Sequence, residues 1–143
     1  MEEQTVELLN EVVKNAEMGR TTAHQLLSIA QENEMKDHLH KELATYEDVA
    51  KRAHAMLAVE GQGAKTQSKL TKWSAHMGIA MKTMTDQSSQ KLADMLIQGA
   101  QMGVTDMTKA IKANPDANPG AVALAQRLQH AENEYLGELK AFL

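Results

Sequence analysis

Four long segments of this chain repeat apolar residues at steps of three and four positions, and this repeat constrains the fold more than any other feature. Apolar side chains at that spacing lie on one face of an α-helix. The repeat predicts helices over residues 2–31, 33–59 and 88–113, and a fourth from residue 119 to the end of the sequence. Asn33 is predicted to cap the second helix, and Asn118 before Pro119 predicts the start of the fourth. An all-α fold is therefore expected.

The segment between the second and third long helices decides the predicted topology. Gly61 and Gly63 interrupt the helical pattern, and a shorter pattern follows over residues 70–84. At about 1.5 Å per residue, one helix over residues 65–113 would be roughly twice as long as its partners. We therefore expect a four-helix bundle with a long, partly helical crossover between its second and third long helices, which is the ferritin-like connection. The length of 143 residues predicts a single domain over residues 1–143.

The third long helix is apolar over more than half of its circumference. Ile97, Val104 and Ile111 lie beside the main stripe, and Gly99 and Gly103 form a pair of small residues that allows another backbone to approach closely. Such a helix is expected to be buried on two sides. Either the crossover, with its tryptophan and methionines, or a second subunit can supply the second cover.

Composition and charge exclude several classes of protein. The formal net charge of -4 comes from interspersed acids and bases, so we expect no nucleic-acid partner. Charged residues interrupt the most apolar stretch, residues 92–111, so no membrane span is predicted. Glu2 and Glu3 stand where an export signal would need basic residues. With no cysteine in the chain, we expect a soluble protein of the reducing cytoplasm.

Two glutamates are predicted to face the interior. Working di-iron proteins of ferritin type carry a Glu-x-x-His pair on each of two helices, and this sequence contains no such pair. Glu42 in the second helix and Glu132 in the fourth nevertheless lie within apolar stripes. Thr45 and Tyr135 follow three residues later, where a metal site would need histidine. The pattern indicates a degenerate metal site.

Arg20 is expected to take the place of the metal. Two unpaired carboxylates in an apolar core are costly, and a guanidinium group between them would neutralise both. We therefore hypothesise a buried polar layer that fixes the register of the helices. Its predicted members are Arg20, Glu42, Tyr46, Glu132 and Tyr135.

An alternative interpretation keeps a metal, iron or another divalent ion, in a non-standard site. Its candidate ligands are Glu42, Glu132, Glu17 and His24. The other histidines are not expected to take part, because His38 and His40 point in different directions and His130 lies with Glu134 on the outer face of its helix. The methionines follow the core stripes, which favours packing over soft-metal binding.

The chain resembles small bacterial proteins of ferritin-like type that have no established activity. The matching segments are Asn15-Ala16-Glu17-Met18-Gly19, Met77-Gly78-Ile79 and onward to Met84, Met95-Leu96-Ile97-Gln98-Gly99 with Met102-Gly103, and residues 139–143. The resemblance implies a fold and little chemistry.

No pattern in the sequence predicts an enzyme. A nucleophile elbow and a glycine-rich phosphate loop are both missing from the sequence. We expect a non-catalytic bundle without a cofactor that acts through self-association, as a homo-oligomer, or through a protein partner. The alternative is a divergent metal-binding protein.

Overall fold

The computed structural model describes residues 2–143, and these residues form five α-helices. They are α1 (Glu2–Leu27), α2 (Asn33–Val59), α3 (Gln67–Lys82), α4 (Ser89–Ala113) and α5 (Pro119–Leu139), and a short 3-10 helix (Lys140–Phe142) follows α5. No strand occurs among the described residues, so the all-α prediction is confirmed. Within residues 2–143, no helix is both long enough and apolar enough to cross a membrane.

Local signals explain most of the helix ends. The side chain of Ser88 accepts a hydrogen bond from the Lys91 amide at 3.2 Å, and that of Asn118 accepts one from the Ala121 amide at 2.8 Å. Both side chains satisfy a backbone donor in a first helical turn. Gly61, with φ +71°, follows the last turn of α2 in the left-handed conformation that favours glycine.

Two helix ends differ from the sequence prediction. The residue before α2 is Glu32, and its side chain makes no capping hydrogen bond; Asn33, the predicted cap, is already the first helical residue. The first helix ends at Leu27 rather than at residue 31. There the backbone leaves the regular ladder in a turn, in which the Ser28 amide donates to the Gln25 carbonyl at 3.2 Å.

The core lies between two antiparallel helix pairs. Helix α1 packs along α2, α4 packs along α5, and α1 also contacts α4 and α5. Large side chains with almost no exposure fill the space between the pairs: Leu8, Leu9, Leu26, Met35, Leu39, Leu57, Leu92, Met107, Leu128 and Leu139. Each such side chain contributes about 1.5–3 kcal/mol relative to an exposed position.

Hydrogen bonds between distant residues fix how the helix ends meet. The Asn118 amide, just before α5, donates to Thr5 Oγ1 in the first turns of α1 at 2.8 Å. Helices α1 and α5 therefore begin at the same end of the molecule. The Lys65 amide, which follows α2, donates to Asn10 Oδ1 at 2.8 Å, so the chain enters α3 near that end as well.

Helix α3 lies along the outside of α1. The indole Nε1 of Trp73 donates to the Met18 carbonyl at 3.2 Å and to Thr22 Oγ1 at 3.0 Å. Of the residues of α3, only Met77 is buried. Because α3 packs mainly on α1, it leaves part of α4 uncovered, and Met102 remains 48% exposed. The predicted burial of α4 on two sides is therefore not achieved within one chain.

Candidate functional site

A layer of polar side chains crosses the middle of the core, and two glycines make room for it. A Cβ atom on Gly103 of α4 would lie 2.1 Å from Glu132 Oε2, and one on Gly19 of α1 would lie 2.6 Å from the ring of Tyr46. Both distances are far below a van der Waals contact. The Asn15 amide group also donates to the Gly103 carbonyl at 3.0 Å, which holds α1 against α4 at this level.

Glu132 is the most constrained member of this layer. Glu132 is 2% exposed, and the Tyr46 hydroxyl donates a hydrogen bond to its Oε2 at 3.3 Å. Its other oxygen, Oε1, is buried without a hydrogen-bond partner. Burial raises the pKa of Glu132 to about 8, and the negative charges of Glu42 and Asp106 act in the same direction. At neutral pH this carboxyl is therefore mostly protonated.

Glu42 pairs with a histidine that the sequence interpretation had set aside. His38 Nε2 contacts Glu42 Oε2, and both side chains are buried. His38 Nδ1 lies 3.4 Å from Glu138 Oε2, and the His38 ring packs edge-on against Tyr135 with 5.5 Å between the ring centroids. Burial raises the pKa of Glu42, whereas the hydrogen bond from His38 lowers it.

A different spacing rule would have found His38. The ferritin-type metal motif is Glu-x-x-His, in which the acid comes first. Here the histidine comes first and the acid follows four residues later, which also places both side chains on one helix face. His38 therefore belongs to the inward stripe of α2.

The two tyrosines lie in the polar layer at the positions expected for them. Tyr46 is 3% exposed and Tyr135 is 1% exposed, and their rings lie 6.2 Å apart, edge to face. Burial raises the pKa of both hydroxyls, that of Tyr135 to about 12. Both hydroxyls are therefore protonated hydrogen-bond donors at physiological pH.

The structure does not bring Arg20 to the two carboxylates. Its guanidinium group binds Glu17 of the same helix through Nε at 3.0 Å and Nη2 at 2.8 Å, and the side chain is 40% exposed. The reason is rotational. Gly19 faces Tyr46, and the next residue of an α-helix points about 100° further round. The prediction that Arg20 neutralises the layer is therefore corrected. Among residues 2–143, the basic side chain that contacts one of these two carboxyl groups is His38, which contacts Glu42.

The four candidate metal ligands do not gather around one point. Glu17 is engaged by Arg20, and His24 is exposed to solvent. Within residues 2–143, no three side chains among histidine, aspartate and glutamate lie close enough together to hold a metal ion. His130 and Glu134 are exposed, as predicted for the outer face of α5.

A cavity of about 280 Å³ lies between α1, α3 and α4 and reaches the polar layer. Its inner end is formed by Glu42, Tyr46 and Glu132. Its walls are mostly apolar and include Met18, Trp73, Met77, Met95, Leu96 and Met102. An apolar cavity of about 150 Å³ holds benzene. The cavity of this protein therefore has room for a molecule of roughly twice the volume of benzene.

The sequence interpretation missed this cavity because it assigned the methionines to packing. That assignment suits Met77, which is 4% exposed, but not Met102, which is 48% exposed. The hydrogen bonds from Trp73 hold α3 against α1, and this placement leaves the space beside α4 open. Methionine is common in surfaces that accommodate varied apolar ligands.

Comparisons with known proteins identify no relative. No protein-family model, curated protein or solved structure matches this chain. The ferritin-like resemblance inferred from sequence therefore stays a prediction.

Proposed function

We propose that this protein is a non-catalytic, ferritin-like helical bundle that binds a small, largely apolar molecule in the cavity between α1, α3 and α4. One observation carries the proposal: an apolar cavity of about 280 Å³ ends on a buried carboxyl, Glu132, whose Oε1 has no partner. Small-molecule sites combine apolar walls with a few converging polar groups. A buried carboxyl oxygen without a partner costs free energy, and a ligand that forms a hydrogen bond with it would recover that free energy.

The directions of the helices support a ferritin-like arrangement. Helices α1 and α5 begin at one end of the molecule, where their first turns meet through Thr5 and Asn118. Helix α3 also starts near that end and runs beside α1. It thus returns the chain to the opposite end before α4 begins, which is the role of the long crossover in ferritin-like folds.

The hydroxyls in the cavity favour binding over catalysis. Those that line it belong to Thr22 and Tyr46. The Thr22 hydroxyl donates a hydrogen bond to the Met18 carbonyl at 3.0 Å and accepts one from the Trp73 indole. The Tyr46 hydroxyl donates a hydrogen bond to Glu132. Neither is paired with a histidine that would activate it as a nucleophile.

Trp73 provides the assay, because it is the only tryptophan of the chain and forms part of the cavity wall. Phenylbutanol is a suitable probe, because its benzene ring does not absorb at the long-wavelength edge of the indole band, where Trp73 can be excited. We expect a saturable change in Trp73 emission and a rise in Tm as phenylbutanol is added, since a ligand that binds only the folded state stabilises it.

Two glycine substitutions make a matched pair for this test. A Cβ atom on Gly99 or Gly137 would meet no other atom within 4 Å, and both residues are exposed, but only Gly99 lines the cavity. Gly99→Phe should fill the mouth and abolish phenylbutanol binding, whereas Gly137→Phe should leave it unchanged. Binding that is equal in both variants would refute the proposal. So would a parent protein that binds neither phenylbutanol nor the amine and the carboxylate of the same shape.

A second candidate function is self-association through α3 and α4. It is favoured by Ile79 and Met102, which are 65% and 48% exposed and lie on the two helices in question. Light scattering would test it: we expect a mass of at least two chains that falls to one in Ile79→Glu with Met102→Glu. A monomer in the parent protein would remove this candidate.

A further inference from the structure

We propose that the ligand of this cavity is an organic amine, whose ammonium group lies at Glu132 and Glu42 while its apolar body packs against Trp73 and the methionines of the walls. The inference rests on the proposed function and names the chemical class of the ligand. It follows from the carboxyl groups at the inner end of the cavity, from the buried Glu132 oxygen without a hydrogen-bond partner and from the apolar walls.

The inner end of the cavity holds two carboxyl groups, those of Glu42 and Glu132, and no basic side chain among residues 2–143 is paired with Glu132. The groups that act on Glu132 are Asn15 from α1, Glu42 and Tyr46 from α2, and Asp106 from α4. Among residues 2–143, His38 is the basic side chain that contacts Glu42, and Glu138 holds it from its other side. His76 lines the cavity on α3, whereas two nearby cations are already paired: Lys14, which lines the cavity on α1, with Glu11 at 2.8 Å, and Arg20 with Glu17. A bound cation would therefore meet a carboxyl group that can ionise beside it, and a bound anion would be repelled by that ionised group.

The hydrogen-bonding capacity of the inner end matches an ammonium group. Among the described residues, Glu132 Oε1 is buried without a hydrogen-bond partner, and its Oε2 accepts a long hydrogen bond, 3.3 Å, from Tyr46. The Asn15 side chain, the other donor near this carboxyl group, also lowers its pKa. An ammonium group has three donors and no acceptor. It can satisfy these oxygens without leaving a polar atom of its own unpaired, and hydrogen bonds between charged groups are the stronger kind.

The titration of Glu132 agrees with this assignment. Burial raises its pKa to about 8, because the charged carboxylate has no cation beside it. A bound ammonium group would supply that cation and allow the carboxyl to ionise. The apolar walls meanwhile suit a hydrocarbon body, since burying apolar surface away from water is favourable.

Three probes of matched shape and different charge test the inference: phenylbutylamine, phenylbutanol and phenylbutyrate. Their affinities would be measured at about pH 8, where Glu132 readily loses its proton, by titration against Trp73 fluorescence. We expect the amine to bind at least about tenfold more tightly than the alcohol, and the carboxylate to bind more weakly than either.

Glu132→Gln isolates the contribution of the charge. It should reduce the affinity for phenylbutylamine to that for phenylbutanol and change the affinity for phenylbutanol by no more than about twofold. Glu134→Gln, at an exposed position of the same helix, should change neither. The comparison of the three probes on the parent protein needs no variant and decides the matter even if Glu132→Gln folds poorly.

The outcomes separate this inference from the proposed function. If the alcohol binds as tightly as the amine, the cavity binds small molecules but the assignment to amines is wrong. If the carboxylate binds best, the assignment is also wrong. If none of the three binds, both proposals fail.

Discussion

Raising the pH should destabilise this protein, because Glu132 must then ionise inside the core. Its ordinary pKa of 4.5 rises to about 8 in the folded state. The gap of about 3.5 pH units, at about 1.4 kcal/mol per unit, corresponds to a loss of about 5 kcal/mol. Small proteins are stable by only about 5–15 kcal/mol. The loss is thus a large share of the total.

The direction follows from the protons bound in each state. Between about pH 4.5 and pH 8, the folded protein keeps a proton on Glu132 that the unfolded chain has lost. Stability falls with pH wherever the unfolded state binds fewer protons. Stability is therefore highest below the pKa that Glu132 has in the unfolded chain, and the loss of stability is complete above the pKa that it has in the folded protein. Burial raises the pKa of Glu42 as well, so Glu42 adds to the same trend.

Urea unfolding followed by circular dichroism, at several pH values between about 5 and 9, measures this effect. Glu132→Gln removes the ionisable group and keeps the shape of the side chain. The parent protein should lose several kcal/mol over this range, and Glu132→Gln should lose much less. Glu134→Gln, exposed on the same helix, should follow the parent. Parallel curves for the parent and Glu132→Gln would show that ionisation of Glu132 does not lower the stability of the fold.

Four further substitutions, one of them a control, test the packing of the site. Gly103→Ala should lower the free energy of unfolding by about 1–3 kcal/mol through overpacking, because its Cβ would lie 2.1 Å from a buried carboxyl oxygen. Gly99→Ala, the control, should be neutral or stabilising by up to about 1 kcal/mol. Equal urea midpoints for the two variants would contradict this prediction. His38→Ala leaves Glu42 without its partner and should cost about 1–3 kcal/mol, and an unchanged Tm would show that the pair contributes nothing. Trp73→Phe removes two hydrogen bonds to α1 and should speed amide exchange in α3 alone; unchanged exchange there would show that these bonds do not anchor the helix.

The helices could be predicted because their signals are local. Ser88 and Asn118 cap the helices that follow them through hydrogen bonds to amides three residues away, and such signals need no knowledge of the fold. The end of α1 is less certain from sequence, since apolar residues continue past Leu27 into the turn. Asn33 is predicted as the cap of α2 but is its first helical residue. A capping residue and a first helical residue can be of the same type, and only the backbone conformation distinguishes them.

The site was predictable only in part. The apolar stripes place Glu42 and Glu132 inside, and both are buried. Arg20 was assigned by its height along the helix, but its rotation about the axis turns it toward Glu17. The cavity depends on the distance between α3 and α4, which the tertiary contacts of Trp73 set. No pattern within one helix contains that distance.

Titration of phenylbutylamine into the protein, followed by Trp73 emission, shows whether the cavity binds an amine. We expect saturable binding at one site per chain. It should be lost in Gly99→Phe, where the cavity mouth is filled, and kept in Gly137→Phe, outside the cavity. A signal that never saturates, or one that is the same in both variants, would contradict it.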